Sequence, residues 1–149
     1  MLEKIKSFFE RHIALTELEG DIKEKLKVAS AALLMEMMHT EETCEHKKHN
    51  LILILLEKMF YLTEEQASAL MEIADHRREQ ATDYFEFTHL ICEAFTHEQK
   101  IQLIESLWKI ALIDNKLDVD EEYLVDKVAH LLFIPHAEVL NARNRVRVA

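Results

Sequence analysis

The sequence predicts an all-α protein, a bundle of seven to eight helices that forms a single domain over residues 1–149. The chain contains one glycine, Gly20, and one proline, Pro135, whereas strand-rich folds use both residue types at many turns. Leu, Glu, Lys, Ala and Met, which favour helix, are abundant. A chain of this length can bury one hydrophobic core, so we expect one helical domain.

An amphipathic helix is predicted at the N terminus, within residues 1–20. Its apolar residues recur at helical spacing and share one face. They are Leu2, Ile5, Phe8, Phe9 and Ile13. Charged residues interrupt this segment, so it lacks the apolar core of a signal peptide. Gly20 then marks a hinge or the end of the helix.

Two further helices are predicted to be central in the bundle. The first spans residues 21–39, and its second half is apolar nearly all round. The second spans residues 45–61, and its run 51–56 is apolar on every side. A helix without a polar face belongs in the interior of a bundle.

Capping boxes predict where the next helices begin. In such a box a Ser, Thr or Asp caps the helix, and a Glu or Gln three residues later reaches back to the cap. The four boxes pair Thr63 with Gln66, Asp83 with Glu86, Thr96 with Gln99 and Asp118 with Glu121. We expect these helices to end near residues 80, 95, 113 and 133. Pro135 should open a last helix that runs to about residue 146.

The chain also contains an internal repeat, which relates residues 27–76 to residues 100–146. A shift of 73 positions aligns the apolar residues of two helix-turn-helix halves, for example Leu34 with Leu107 and Ile52 with Val125. Polar residues coincide in the same register. Glu41 falls on Asp114, Glu45 on Asp118, and His49 on Glu122. The bundle is therefore predicted to consist of two similar halves, each with a polar turn.

The polar turn of the second half reads IALIDNKLDVDEE, residues 110–122. A hard cation binds several oxygen ligands, and residues 118 and 122 point the same way because they are one helical turn apart. The sequence predicts a divalent cation, Ca²⁺ or Mg²⁺, at this turn, with a related site in the first half, where histidine would suit a softer metal. The predicted metal ligands are Asp114, Asp118, Glu122, Glu41, Glu45 and His49.

The acidic turn has two other interpretations. An EF-hand loop is excluded, because Val119 stands where the loop needs glycine and Val125 where it needs a bidentate glutamate. Helix capping is the simpler alternative: Asp118 and Glu121 would cap the helix, and the neighbouring acids would favour its positive end. Capping alone does not explain why the related turn of the first half is also acidic.

The formal net charge of −10 limits the partners. A protein that binds the phosphate backbone of nucleic acid needs clustered Lys and Arg, so we expect no nucleic acid partner and favour cations or basic proteins. No segment approaches the roughly 18 apolar residues of a membrane span. We expect a cytoplasmic protein with protein partners. Both a monomer and a homo-oligomer are compatible with the sequence. Cys44 and Cys92 are expected to be free thiols.

Residues 98–146 resemble the second half of TerB-family proteins, which are associated with tellurite resistance. The family pattern is Leu-Trp-x-x-Ala-x-x-Asp-Gly-x-Leu-Asp-x-x-Glu-Glu, an apolar helix and then Pro-His. The matching residues are Leu107, Trp108, Ala111, Asp114, Leu117, Asp118, Glu121, Glu122, Pro135 and His136. With a weaker first half, the resemblance extends over about residues 25–147.

The resemblance implies an all-helical fold of two halves, with acidic motifs suspected of binding divalent cations, in bacterial proteins linked to tellurite or other stress. No enzymatic activity is established for the family, and we expect a non-enzymatic interaction module. Two departures stand out. Asn115 replaces the glycine that follows the aspartate, although Asn tolerates a left-handed backbone. The first half has Glu41, Glu42, Glu45 and His49 where an Asp-Gly…Glu pattern would be expected.

A metal-dependent enzyme is the alternative function. Two Glu-x-x-His motifs occur, Glu36 with His39 and Glu86 with His89, and a pair of such motifs contributes to the di-iron site of ferritin-like bundles. Because the chain has nine histidines and many glutamates, chance matches to so short a motif are expected. The predicted helices are also short for a ferritin-like bundle.

Overall fold

The computed structural model describes residues 20–39 and 45–148. Within these ranges it contains seven α-helices, one 3-10 turn and no strand, which confirms the all-α prediction. The helices are α1 (Gly20–Glu36), α2 (Glu45–Phe60), α3 (Glu64–Gln80), α4 (Phe85–Ala94), α5 (His97–Ala111), α6 (Val119–Leu131) and α7 (His136–Val148), with the 3-10 turn at Met37–His39. The predicted N-terminal helix, apart from Gly20, and the predicted ligand Glu41 lie outside the described residues.

Helix α1 lies at the centre of the bundle, as predicted. It packs mainly against α3 and α4 and also contacts α2 and α5. Its consecutive residues Ala31 to Leu34 are almost completely buried, because neighbours cover the helix on several sides. Helix α5 is the second buried helix. Leu103, Leu107 and Ile110 on it are fully inaccessible to solvent.

Helix α2 differs from the prediction. Ile52, Leu55 and Leu56 are buried, but the side chain of Ile54 is 45% exposed. The helix packs on α3 and, less extensively, on α1 and α5, so neighbours cover it from one side. The apolar run 51–56 predicted burial on every side. The prediction is confirmed for one face of the helix and wrong for the opposite face.

Two of the four predicted capping boxes are confirmed. The hydroxyl of Thr63 accepts a hydrogen bond from the backbone N–H of Gln66 at 3.1 Å, and the Gln66 side chain accepts one from the Thr63 N–H at 3.0 Å. Thr96 and Gln99 make the same pair at 3.1 and 2.8 Å. Helices α3 and α5 therefore begin where the sequence indicated.

The other two predicted boxes are wrong. Helix α4 begins at Phe85, and the Asp83 carboxylate accepts a hydrogen bond from the Phe85 N–H at 2.9 Å, without the reciprocal bond from a backbone N–H to the Glu86 carboxylate. Glu86 binds Arg77 instead, at 2.9 Å. At α6, Asp118 is the N-cap residue, but its side chain makes no capping hydrogen bond. Each predicted glutamate has a partner outside its own helix.

The ends of α5 and α6 come earlier than predicted, at Ala111 and Leu131. After α6 the backbone of Phe133 turns left-handed, with φ 61°, and the N–H of Ile134 binds the carbonyl oxygen of Ala129 at 2.9 Å. This is the Schellman pattern, in which a left-handed residue closes the helix. Glycine usually occupies that position, so Phe133 could not be recognised as the end of the helix from the sequence.

Positions related by the shift of 73 residues are buried alike in several pairs. Leu34 and Leu107 have no solvent exposure, and neither do Ile52 and Val125. Helices α1 and α2 correspond to α5 and α6 in this register. The repeat stays an interpretation of the sequence.

Candidate functional site

The acidic turn connects α5 to α6. Asp114 accepts a hydrogen bond from the backbone N–H of Lys116 at 3.2 Å, an Asx turn that reverses the chain locally. Asn115 between them is left-handed, with φ 61°. Asparagine adopts this conformation more readily than most residues, so it serves at the position where the family pattern has glycine.

Asp118 and Glu122 lie at the start of α6. Asp118 is half-buried, with an extended backbone, and its carbonyl oxygen accepts the N–H of Glu122 at 3.0 Å. The side chain of Asp118 is not used for capping, so the capping explanation of this carboxylate is wrong. Glu122 is exposed. Both carboxylates belong to the first turn of a helix, whose positive pole favours negative charge.

In the first half, Glu45 and His49 are exposed on the first turns of α2. Between them lies Lys48, whose side chain is only 2% exposed. Its ammonium nitrogen is 3.0 Å from Oε2 of Glu121, which is 1% exposed. It also donates a hydrogen bond to the carbonyl oxygen of Met37 at 3.1 Å. A buried ion pair thus joins α2 to α6 and to the 3-10 turn.

A groove of about 660 Å³ lies between α1, α3 and α4. Apolar side chains form much of its lining, among them Val28, Ile73, Phe85, Phe87 and Leu90. Basic and imidazole side chains also line it. They are Lys25, His76, Arg77 and His89. Phe85 is 57% exposed, which is unusual for a phenylalanine beside a core. A concave apolar surface of this size is typical of a binding site.

Comparison with known proteins decides the family. The family described as "Tellurite resistance protein TerB" matches residues 27–144, which is most of the chain. The chain belongs to the TerB family. No curated protein and no solved structure matches it. The family assigned from the Leu107 to His136 pattern is thereby confirmed.

The TerB-family chain gives no support to the di-iron alternative. Glu36 pairs with Arg78 at 3.4 Å, and His39 with Asp75 at 3.3 Å. In the second motif, Glu86 binds Arg77 and His89 stacks on Phe85 with ring centroids 5.2 Å apart. The four side chains have partners of their own, and they are not gathered around one point.

The predicted metal ligands of the TerB-family chain are only partly described. Within residues 20–39 and 45–148, no three His, Cys, Asp or Glu side chains are grouped as they would be around a metal ion. Glu41 lies outside these ranges, so the six-ligand set stays a prediction. Among the helices described, none is both long and apolar enough to cross a membrane.

Sequence reasoning missed the Lys48–Glu121 pair. It assigned Glu121 to a capping box, which is a local pattern, and gave Lys48 no role. One signal was available: the shift of 73 positions that aligns Glu45 with Asp118 also aligns Lys48 with Glu121. The groove had no comparable signal, because its lining residues come from three helices that are distant in sequence.

Proposed function

We propose that this TerB-family chain is a non-enzymatic interaction protein of the bacterial cytoplasm, acting in a complex linked to tellurite or another stress. The groove between α1, α3 and α4 is the observation that carries the proposal. It combines apolar side chains such as Ile73 and Leu90 with a volume of about 660 Å³. An apolar groove between helices suits an amphipathic helix from another protein.

The charges around the groove specify the kind of helix. Lys25 and Arg77 bring positive charge to its border, and His76 and His89 add imidazole groups. The acid in the lining, Glu86, pairs with Arg77 at 2.9 Å. This border contrasts with the formal charge of −10 for the whole chain. Complementary charges steer association and suppress wrong partners. We therefore propose a partner helix with an apolar face and acidic flanks.

Photo-crosslinking in tellurite-treated cells tests the groove. A photoreactive residue at position 73 should trap a partner, because Ile73 lines the groove. The same residue at position 61 should not, because Tyr61 is 93% exposed and lies outside the groove. Ile73→Asp should abolish tellurite protection by placing a charge among apolar side chains, while Tyr61→Asp should retain it.

Three results would argue against this site. Crosslinking from both positions alike would mean that the contact is not specific to the groove. A crosslink from position 73 to residues 1–19 of the same chain would mean that the N-terminal segment takes the groove. A crosslink to a second copy would replace the partner with a homo-oligomer.

We further propose that the acidic turn binds a divalent cation weakly, through Asp118 with Asp114 and Glu122. These side chains are not grouped around one point in the structure, so the ion would draw them together. Carboxylate oxygens suit Ca²⁺ and Mg²⁺, and the Asp118 carboxylate is not used as a helix cap. Across the repeat, Glu41, Glu45 and His49 would be the corresponding ligands, and the same titration in Glu45→Ala tests them. The cation would hold the carboxylates of the turn together and would take part in no reaction.

A titration with Ca²⁺ or Mg²⁺ tests the cation. Millimolar concentrations should raise the Tm of the full chain by a few degrees, because ligand binding to the folded state stabilises it. Asp118→Ala should lose this shift. Asp120→Ala is the matched control, since it removes the same charge from an exposed neighbour and should keep the shift. Equal loss in both variants would indicate general charge screening.

A further inference from the structure

The buried ion pair joins two positions that are equivalent in the repeat. Lys48 on α2 and Glu121 on α6 differ by 73 positions, and their side chains are 2% and 1% exposed. Each lies near the start of its helix. Equivalent buried positions in the two halves therefore carry opposite charges, and the charges meet where the halves touch.

The surroundings of the Lys48 ammonium are those of a bound cation. Its nitrogen is 3.0 Å from a carboxylate oxygen of Glu121 and 3.1 Å from the main-chain oxygen of Met37. Carboxylate and carbonyl oxygens are also the ligands that hard metal ions select. These oxygens come from two separate elements, α6 and the 3-10 turn. The ammonium therefore connects the elements as a metal ion connects its ligands.

We propose that Lys48 is an internal cation: the centre between the two halves is a cation site that the chain fills with its own ammonium group. The occupied centre has no place for Ca²⁺ or Mg²⁺ at Glu121, because a second cation would face the ammonium at contact distance. When the ammonium is removed, the remaining oxygens accept a small alkylammonium ion or a hard metal ion.

This assignment separates two cation centres along α6. Glu121 belongs to the inner, buried centre with Lys48, whereas Asp118 and Glu122 belong to the turn and its surface. The inner centre does not rest on the proposed function. If the turn binds no ion, the inner centre is unaffected, since its test depends on Glu121 and not on Asp118.

Chemical rescue of Lys48→Ala in the full chain tests the proposal. The truncation removes the atoms from Cγ to Nζ, and propylammonium supplies the same three carbons and nitrogen. Propylammonium chloride should raise the Tm of the variant by about 5 °C or more, because it binds the folded state selectively. Choline chloride at equal ionic strength is the control, since its head group is too large for the site. Wild-type protein should respond equally to the two salts.

Metal rescue and a double variant complete the test. CaCl₂ should also stabilise Lys48→Ala more than wild-type protein, and Asp118→Ala in the same background should leave the rescue by propylammonium intact. Lys48→Ala/Glu121→Gln should lose it, because the carboxylate that attracts the cation is gone. Rescue that survives Glu121→Gln would overturn the proposal.

A variant that folds poorly still gives a result. If Lys48→Ala is unfolded in buffer, its refolding yield from urea should rise several-fold in propylammonium and not in choline. Lys48→Gln, which keeps a polar group of similar length, should fold and be stabilised by Ca²⁺ more than the wild type is. If neither variant responds to any cation beyond the choline control, Lys48 is not an internal cation.

Discussion

Replacing Lys48 by methionine is expected to lower the free energy of unfolding by about 3–5 kcal/mol. Methionine has a similar length, so little volume is lost. The loss arises because the Glu121 carboxylate, 1% exposed, would be left without the ammonium 3.0 Å away. Removing one charge of a buried ion pair costs far more than the intact pair contributes. Urea denaturation, followed by circular dichroism, measures the change.

The double variant Lys48→Met/Glu121→Met distinguishes the contribution of the ion pair to stability from the cost of removing only one of its two charges. Replacing both charges by apolar side chains is often neutral or stabilising, so the double variant should recover most of the stability lost by the single one. The exposed pair of Arg77 and Glu86, whose side chains are 55% and 47% accessible, serves as the control. Arg77→Met should change stability by less than about 1 kcal/mol. A similar loss for Lys48→Met and Arg77→Met would contradict the buried-pair account.

The same ion pair shows where sequence reasoning reaches its limit. A capping box is decided within four residues, so Thr63 and Thr96 were assigned correctly from the sequence alone. Glu121 fits the same local pattern, yet its side chain turns inward to Lys48 because the tertiary structure offers a charged partner. A local motif indicates which hydrogen bonds a side chain could make, whereas residues distant in sequence determine which interaction it makes in the folded chain.

The fold was predictable for a related reason. Helix periodicity, capping residues and the scarcity of Gly and Pro act locally, and together they identified the helices. The one-sided burial of α2 could not be predicted, because the exposure of Ile54 depends on which neighbours cover the helix. The groove could not be predicted from the sequence for the same reason, since Val28, Ile73 and Leu90 come together only in the folded chain.

Trp108 is expected to be the costliest single residue to remove from the core of the second half. Its side chain is 1% exposed, and its indole N–H donates a hydrogen bond to the carbonyl oxygen of Val139 at 3.1 Å. This bond fixes α7 against α5. Trp108→Ala should lower the free energy of unfolding by about 3–5 kcal/mol, since it leaves a large cavity. Unfolding should be followed by circular dichroism, because the substitution removes the chain's one tryptophan and with it the tryptophan fluorescence.

Two further variants divide the loss at Trp108 between packing and hydrogen bonding. Trp108→Phe keeps most of the apolar volume but leaves the Val139 carbonyl without the indole donor, at a cost of about 1–3 kcal/mol. Tyr123→Ala removes an aromatic ring that is 65% exposed and should change stability by about 0.5 kcal/mol or less. If Trp108→Ala costs no more than Tyr123→Ala, the tryptophan does not hold α7 in place. The position of α7 then depends on aliphatic contacts such as those of Val139, which is 2% exposed.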